Sequence, residues 1–133
     1  MKVAYTGHRD FQLTAEIKTL IMEDLNNPIV DEVIVGGARG FDLFVGKLAR
    51  EAGKPFTLVL PYPAEKVAKS WNNRDKVELF LQVRAAKEVI VIEKEYSSDA
   101  LFLRNREMVE LADAVMACWD GREKGGTYNT VNF

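Results

Sequence analysis

Three stretches of this chain combine glycine with hydroxyl or basic side chains: Thr6-Gly7-His8-Arg9, Gly36-Gly37-Ala38-Arg39-Gly40-Phe41-Asp42, and Asp120-Gly121-Arg122-Glu123-Lys124-Gly125-Gly126-Thr127. Glycine permits positive φ and close approach of backbone N–H groups, and a helix start adds partial positive charge, so loops of this composition cradle phosphate. Seven of the nine glycines fall in these stretches, leaving only Gly46 and Gly53 elsewhere. One such loop is explained by turn geometry alone. Three of them leaving one edge of a sheet point to an anion site. The spacing matches neither GxGxxG nor GxxxxGK[ST], so neither a hydride-transferring enzyme nor a P-loop nucleotidase is supported.

Other residues qualify as partners of an anionic ligand. Arg104, followed by Asn105, falls on the apolar side of a helical pattern near the start of that helix, beside Met108 and Leu111. An arginine there either pairs with a buried carboxylate, snorkels past the edge, or meets a ligand phosphate or carboxylate bidentately. Asp42 and Asp120 are candidates for holding a ribose hydroxyl or for acid–base work; equally, Asp42 suits the first turn of a helix and Asp120 an Asp-Gly turn. His8 is a candidate general base or a plain hydrogen-bonding residue. Trp71, and with it Tyr96, could stack on a base, or Trp71 could pack as a lid over the strand ends.

His8 is the only histidine and Cys118 the only cysteine. No intrachain disulfide, Cys-based zinc site or multi-histidine metal centre can form from these, and no metal site is expected.

The elements that must position these residues follow from periodicity. Val3 to Tyr5, Glu32 to Val35, Phe56 to Leu60, Glu88 to Ile92 and Ala114 to Cys118 read as five strands. Several are apolar on both faces, as in a covered parallel sheet. Between them run amphipathic helices. The first carries Leu13, Ile17, Leu20, Ile21 and Leu25, capped by Thr14; the second carries Phe41, Phe44, Val45, Leu48 and Ala52 and stops at Gly53. The third, around Asp75 to Ala86, aligns Val77, Phe80, Leu81 and Arg84; the fourth, capped from Ser97, Ser98 or Asp99, aligns Leu101, Met108, Leu111 and Ala112. The segment through Pro61-Tyr62-Pro63 to Trp71 suggests a loop with a short helix over the strand ends. Alternation of this kind predicts an α/β, Rossmann-like open parallel sheet of about five strands with helices on both faces. In such a sheet, ligands bind beyond the carboxyl ends of the strands, where the glycine stretches lie.

At 133 residues, with 47% apolar and 29% charged residues, the chain reads as one globular domain over 1–133. A net charge of −2 argues against a strongly basic nucleic-acid module without excluding a local basic groove. No apolar run approaches a membrane span, and Thr6, His8, Arg9 and Asp10 interrupt any secretory leader, so a cytoplasmic protein with no membrane association is expected.

Taken together, Gly7-His8-Arg9, GGARGFD at 36–42, Trp71-Asn72, RNREMV at 104–109 and A-D-x-V-x-A-x-W-D-G-(x)3-GGT-x-N-T from Ala112 to Thr130 resemble the YpsA-like branch of the SLOG superfamily. The glycine segment at 36–42 is also similar to that of the DNA-processing protein DprA. The resemblance implies a Rossmann-like fold and binding of nucleotides or nucleotide-derived ligands such as ADP-ribose. It places ligand-facing roles on Gly7, Arg9, Gly36, Gly37, Arg39, Gly40, Asp42, Arg104, Asn105, Gly125, Gly126 and Thr127, to which the strand-end reading adds Thr6 and Asp120. Related LOG enzymes cleave N-glycosidic bonds with a glutamate in a PGGxGTxxE motif. Here Gly126-Thr127 is followed by Tyr128-Asn129-Thr130, so the phosphate-cradling part matches and the acid is missing. The family's last helix is also shortened, the chain stopping at Phe133, which leads us to expect a homo-oligomer that covers the exposed face.

The expected function is therefore binding of a nucleotide-type small molecule, with phosphate on the glycine loops. The alternatives are an N-glycosidic or phosphoester hydrolase of such a ligand, with Asp42, Asp120 or His8 as catalytic candidates, and single-stranded nucleic-acid binding of DprA type. The residues name no cofactor.

Overall fold

The structure, a computed structural model, describes residues 1–7 and 14–118. Five strands, β1 (Lys2–Gly7), β2 (Glu32–Val35), β3 (Phe56–Leu60), β4 (Glu88–Val91) and β5 (Ala114–Cys118), form one sheet in the order β4-β3-β2-β1-β5. Every pairing is parallel. The helices between them are α1 (Ala15–Asn26), α2 (Phe41–Ala52), the single-turn α3 (Ala64–Val67), α4 (Asn73–Ala85) and α5 (Ser98–Leu111). The first four strands step one way across the sheet; the fifth returns to the other side of β1. Crossovers of one hand therefore deliver α1, α2 and α4 to one face and α5 to the other.

The burial pattern agrees with that topology. Alternate side chains of β1 divide between two cores: Val3 and Tyr5 join Ile21, Phe41, Leu48 and Leu79 under α1, α2 and α4, whereas Ala4 joins Ile34, Val59 and Met108 under α5. Three helix starts are fixed by side-chain caps, Thr14 and Ser97 as sequence reading expects and Asn72, which it did not nominate. Thr14 Oγ1 accepts from Ile17 N (3.2 Å), Asn72 Oδ1 from Asp75 N (2.9 Å) and Ser97 Oγ from Ala100 N (3.0 Å). Gly53, with φ of 70°, ends α2 in the left-handed conformation that a residue with a Cβ adopts at a cost. At the opposite edge of the sheet from the glycine loops, the buried Glu32 accepts from Lys87 Nζ (2.9 Å) and Thr57 Oγ1 (3.1 Å), tying β2 to β3 and to the residue before β4.

The structure corrects several details. The α4 stripe is not Val77, Phe80, Leu81 and Arg84: Val77 is 58% exposed, Phe80 41% and Leu81 40%, and the residues buried are Leu79 and Gln82. The cause is Gln82, a polar residue that periodicity assigns to solvent but whose Nε2 donates to Leu43 O (2.9 Å) and Glu78 Oε2 (3.0 Å) beneath the helix. Opposite it is Gly46 of α2; a Cβ there would lie 2.0 Å from Gln82 Oε1, so the glycine allows the two helices their close approach. Leu20 is exposed on α1, and on α2 Ala49 rather than Ala52 is buried, with Asp42, Leu43 and Gly46 buried as well. Arg104 and Asn105 do not begin α5 but sit at its centre, since Ser97 caps the helix about two turns earlier.

Candidate functional site

The carboxyl ends of β1, β2 and β3 converge above the sheet with the N-terminus of α2 and the middle of α5. Gly7 ends β1 against the first residue of α2: a Cβ on it would lie 2.4 Å from Phe41 Cγ. At the end of β2, a Cβ on Gly36 would meet Arg104 Nη1 at 2.7 Å and Asp42 Oδ2 at 2.9 Å. Both glycines thus serve close packing of strand ends onto α2 and α5. Gly37 and Gly40 have φ of 68° and 83°, and this backbone turn carries the chain from β2 into α2. The turn is closed by Leu43 N donating to Ala38 O (2.9 Å) and Phe44 N to Gly40 O (3.0 Å).

Under this turn lies a buried polar group. Asp42 is 5% exposed and Arg104 7%. Arg104 Nη1 donates to Gly36 O (2.5 Å) and Nε to Asn105 Oδ1 (2.7 Å), so α5 holds the end of β2 through an arginine oriented by its neighbour. Burial pushes the Asp42 carboxyl up to about 6; Arg104 and the amides of Gly36, Gly7 and Ala38 pull it down, and burial prevails. Asp42 Oδ1 has no hydrogen-bond partner of good geometry among the described residues. The arrangement clamps β1, β2, α2 and α5 together at the carboxyl ends of the strands.

A cavity of about 270 Å³ opens above it. Its walls include Arg39 and Arg104, and the aromatic side chains Tyr62, Trp71 and Tyr96, with Ser70 beside them. The Arg39 guanidinium lies 5.7 Å from the centroid of the Trp71 ring, within cation–π range. Tyr62 and Tyr96 meet edge to face with centroids 5.6 Å apart. No carboxylate and no histidine of the described residues lines this space. Its chemistry is that of two guanidinium groups, one of them against an aromatic ring, among flat aromatic faces.

Of the residues expected at the site, the structure brings together Gly36, Gly37, Arg39, Gly40, Asp42, Arg104 and Asn105, with Thr6 and Gly7 at the end of β1. Of these only Arg39 and Arg104 line the cavity; Asp42 and Asn105 are packed beneath it, and Thr6, Gly7, Gly36, Gly37 and Gly40 are not among its walls. His8, Arg9, Asp120, Gly125, Gly126 and Thr127 lie outside the described residues. Tyr62 is a wall residue that sequence reading did not nominate, although its position two residues after β3, between Pro61 and Pro63, was a signal that it stands at the strand ends. Trp71 is buried and faces both roles at once, lid packing and cavity wall. Among the described residues no group of His, Cys, Asp and Glu is placed to hold a metal ion, and no helix is long and apolar enough to cross a membrane.

A doubly wound parallel sheet with its buried clamp and cavity at the carboxyl edge defines a Rossmann-like domain. Within that class, the chain belongs to the YspA SLOG family, whose model matches residues 3–132. Among solved structures it is similar to the X-ray structure of DNA processing protein A (DprA) from Streptococcus pneumoniae, with a TM-score of 0.74 and 17% identity. That match covers 98% of this chain and 45% of the DprA chain, so the chain spans less than half of its structural neighbour. No curated protein matches it.

Proposed function

We propose that the domain binds a nucleotide or nucleotide-derived ligand of the ADP-ribose kind at the carboxyl edge of the sheet. The observation that carries this reading is the 270 Å³ cavity walled by Arg39, Arg104, Tyr62, Trp71 and Tyr96. Its volume is near the lower end of small-ligand sites, about 300 Å³, and suits one mononucleotide unit. Guanidinium groups match phosphate oxygens in charge and geometry, and the aromatic faces suit a base. Family membership and the DprA-like fold support a nucleotide or nucleic-acid role in the same direction.

Binding without turnover is the better reading than hydrolysis. A hydrolase needs a base within hydrogen-bond reach of its water, and the one described candidate, Asp42, is enclosed under the cavity with Arg104 and the loop amides around it. Cytoplasmic location and self-association are part of the same proposal.

The test uses Arg39, a partly exposed residue with no ion pair of its own among the described residues. Isothermal titration with AMP and ADP-ribose is expected to show binding to the wild-type domain, weakened about tenfold or more in Arg39→Ala, the loss typical of a charge-assisted hydrogen bond. Equal affinities in the two proteins, with equal thermal stability, would remove this cavity from the binding reaction.

A further inference from the structure

Arg39 borders a second cavity. On its other side, between the N-terminal halves of α2 and α4, runs a groove of about 650 Å³ that shares Arg39 as a wall with the rim cavity. Its apolar lining comes from both helices, Leu43 and Phe44 of α2 and Val77 and Leu81 of α4. Two of the three exposed apolar residues of α4 that periodicity assigns to the core, Val77 and Leu81, line this groove; Phe80 does not.

The charges of the groove do not cancel. It contains two acids: Glu78 is ion-paired with Arg50 through Nη2 at 2.6 Å and Nε at 3.1 Å and accepts from Gln82, whereas Asp75, which accepts from the neutral Asn72 Nδ2 at 3.0 Å, keeps its charge, so the cations of the groove still exceed its free acid. Its three outward cations, Arg39, Lys47 and Arg74, have no carboxylate partner among the described residues. Apolar side chains from two helices together with cations that have no ion pair among the described residues, adjoining a site for one nucleotide at Arg39, have the chemistry of a second nucleotide subsite.

The geometry points to a two-part ligand, two nucleosides joined through phosphates, with one nucleoside in the rim cavity, the linking phosphates at Arg39 and the second nucleoside in the α2–α4 groove beside Lys47 and Arg74. This rests on the nucleotide-binding reading of the rim cavity and extends it to the class of ligand. The volumes fit a division of this kind, since the groove is more than twice the size of the rim cavity and exceeds what a phosphate chain alone requires.

The probes are diadenosine diphosphate and AMP, which share the base and carry closely similar charge, about −2, near neutral pH. Affinity that the second nucleoside adds is therefore not an effect of added charge. Titration calorimetry of the wild-type chain is expected to show diadenosine diphosphate binding about tenfold or more tighter than AMP. In the double variant K47A/R74A that advantage shrinks to about threefold or less while AMP affinity stays unchanged. Should the double alanine variant melt well below wild type, K47Q/R74Q, which keeps the side-chain stems, carries the same comparison.

AMP binding with no advantage for diadenosine diphosphate, or an advantage that survives the double substitution, overturns the second subsite and leaves the rim cavity standing. Failure of both probes to bind overturns the reading of the rim cavity as well. A ten-nucleotide oligodeoxyadenylate that binds more tightly than diadenosine diphosphate, with affinity falling steeply with salt, overturns the assignment to a dinucleotide and places a single strand in the groove.

Discussion

The buried carboxylate at the centre of the clamp has a measurable signature in stability. In the folded protein Asp42 titrates at about 6, against an ordinary value of 3.8, because burial outweighs Arg104 and the three loop amides. An acid whose folded pKa lies above its unfolded value favours the fold while it is protonated. Its contribution is fully present below about 3.8 and is lost as pH rises through about 6. At about 1.4 kcal/mol per unit, the shift amounts to about 3 kcal/mol across that window. Asp42→Asn removes the titration and keeps the shape of the side chain. We expect the stability of wild type minus that of Asp42→Asn, from urea unfolding at intervals between pH 4 and 7.5, to fall by roughly 2.5 kcal/mol with rising pH, most steeply between 4 and 6. Subtraction cancels the other carboxylates. A flat difference would show that Arg104 and the loop amides fully offset burial, and a difference that rises with pH would show that they outweigh it, as in an ordinary ion pair; either result refutes the reasoning.

Two further substitutions test the packing that positions the site. Gly46→Ala places a Cβ 2.0 Å from Gln82 Oε1, and Gln82 is fully buried and held by two hydrogen bonds, so α2 and α4 must separate; chemical denaturation is expected to show a loss of about 1–3 kcal/mol. Ser97→Ala removes the acceptor for Ala100 N at the start of α5 and is expected to cost about 1 kcal/mol, read as a lower unfolding midpoint with an unchanged denaturant slope.

Strand positions were legible because the five strands are short β-branched runs in a sheet covered by helices, a pattern with few competing interpretations; β2, β3 and β5 keep the bounds read from the sequence, while β1 runs longer and β4 ends at Val91. Helix starts were legible for a similar reason, since Thr14 and Ser97 are local signals that need no tertiary partner. The buried face of α4 was not. It is chosen by a glycine on another helix and filled by a glutamine, and periodicity gives weight to neither. At the site, the glycines at 36, 37 and 40 did mark the turn over the strand ends, but what each one accommodates, a guanidinium or a positive φ, is set by α5 and by the chain path. Arg104 was legible as a residue in need of a partner. That its hydrogen bonds run to Gly36 O and Asn105 depends on how α5 crosses β2, which no local pattern encodes.

The central claim is that the carboxyl edge of this sheet holds a nucleotide-type ligand. Native mass spectrometry of the chain, as purified and after incubation with a mixture of nucleotides, NAD and ADP-ribose, tests it most directly, with the small molecules analysed alongside. The account predicts a protein ion that carries one intact nucleotide-type ligand per chain, with no released base or phosphate beyond controls. Bare protein at every ligand concentration would contradict it and leave the glycine loops to turn geometry and packing, and a released base or phosphate would replace binding with hydrolysis.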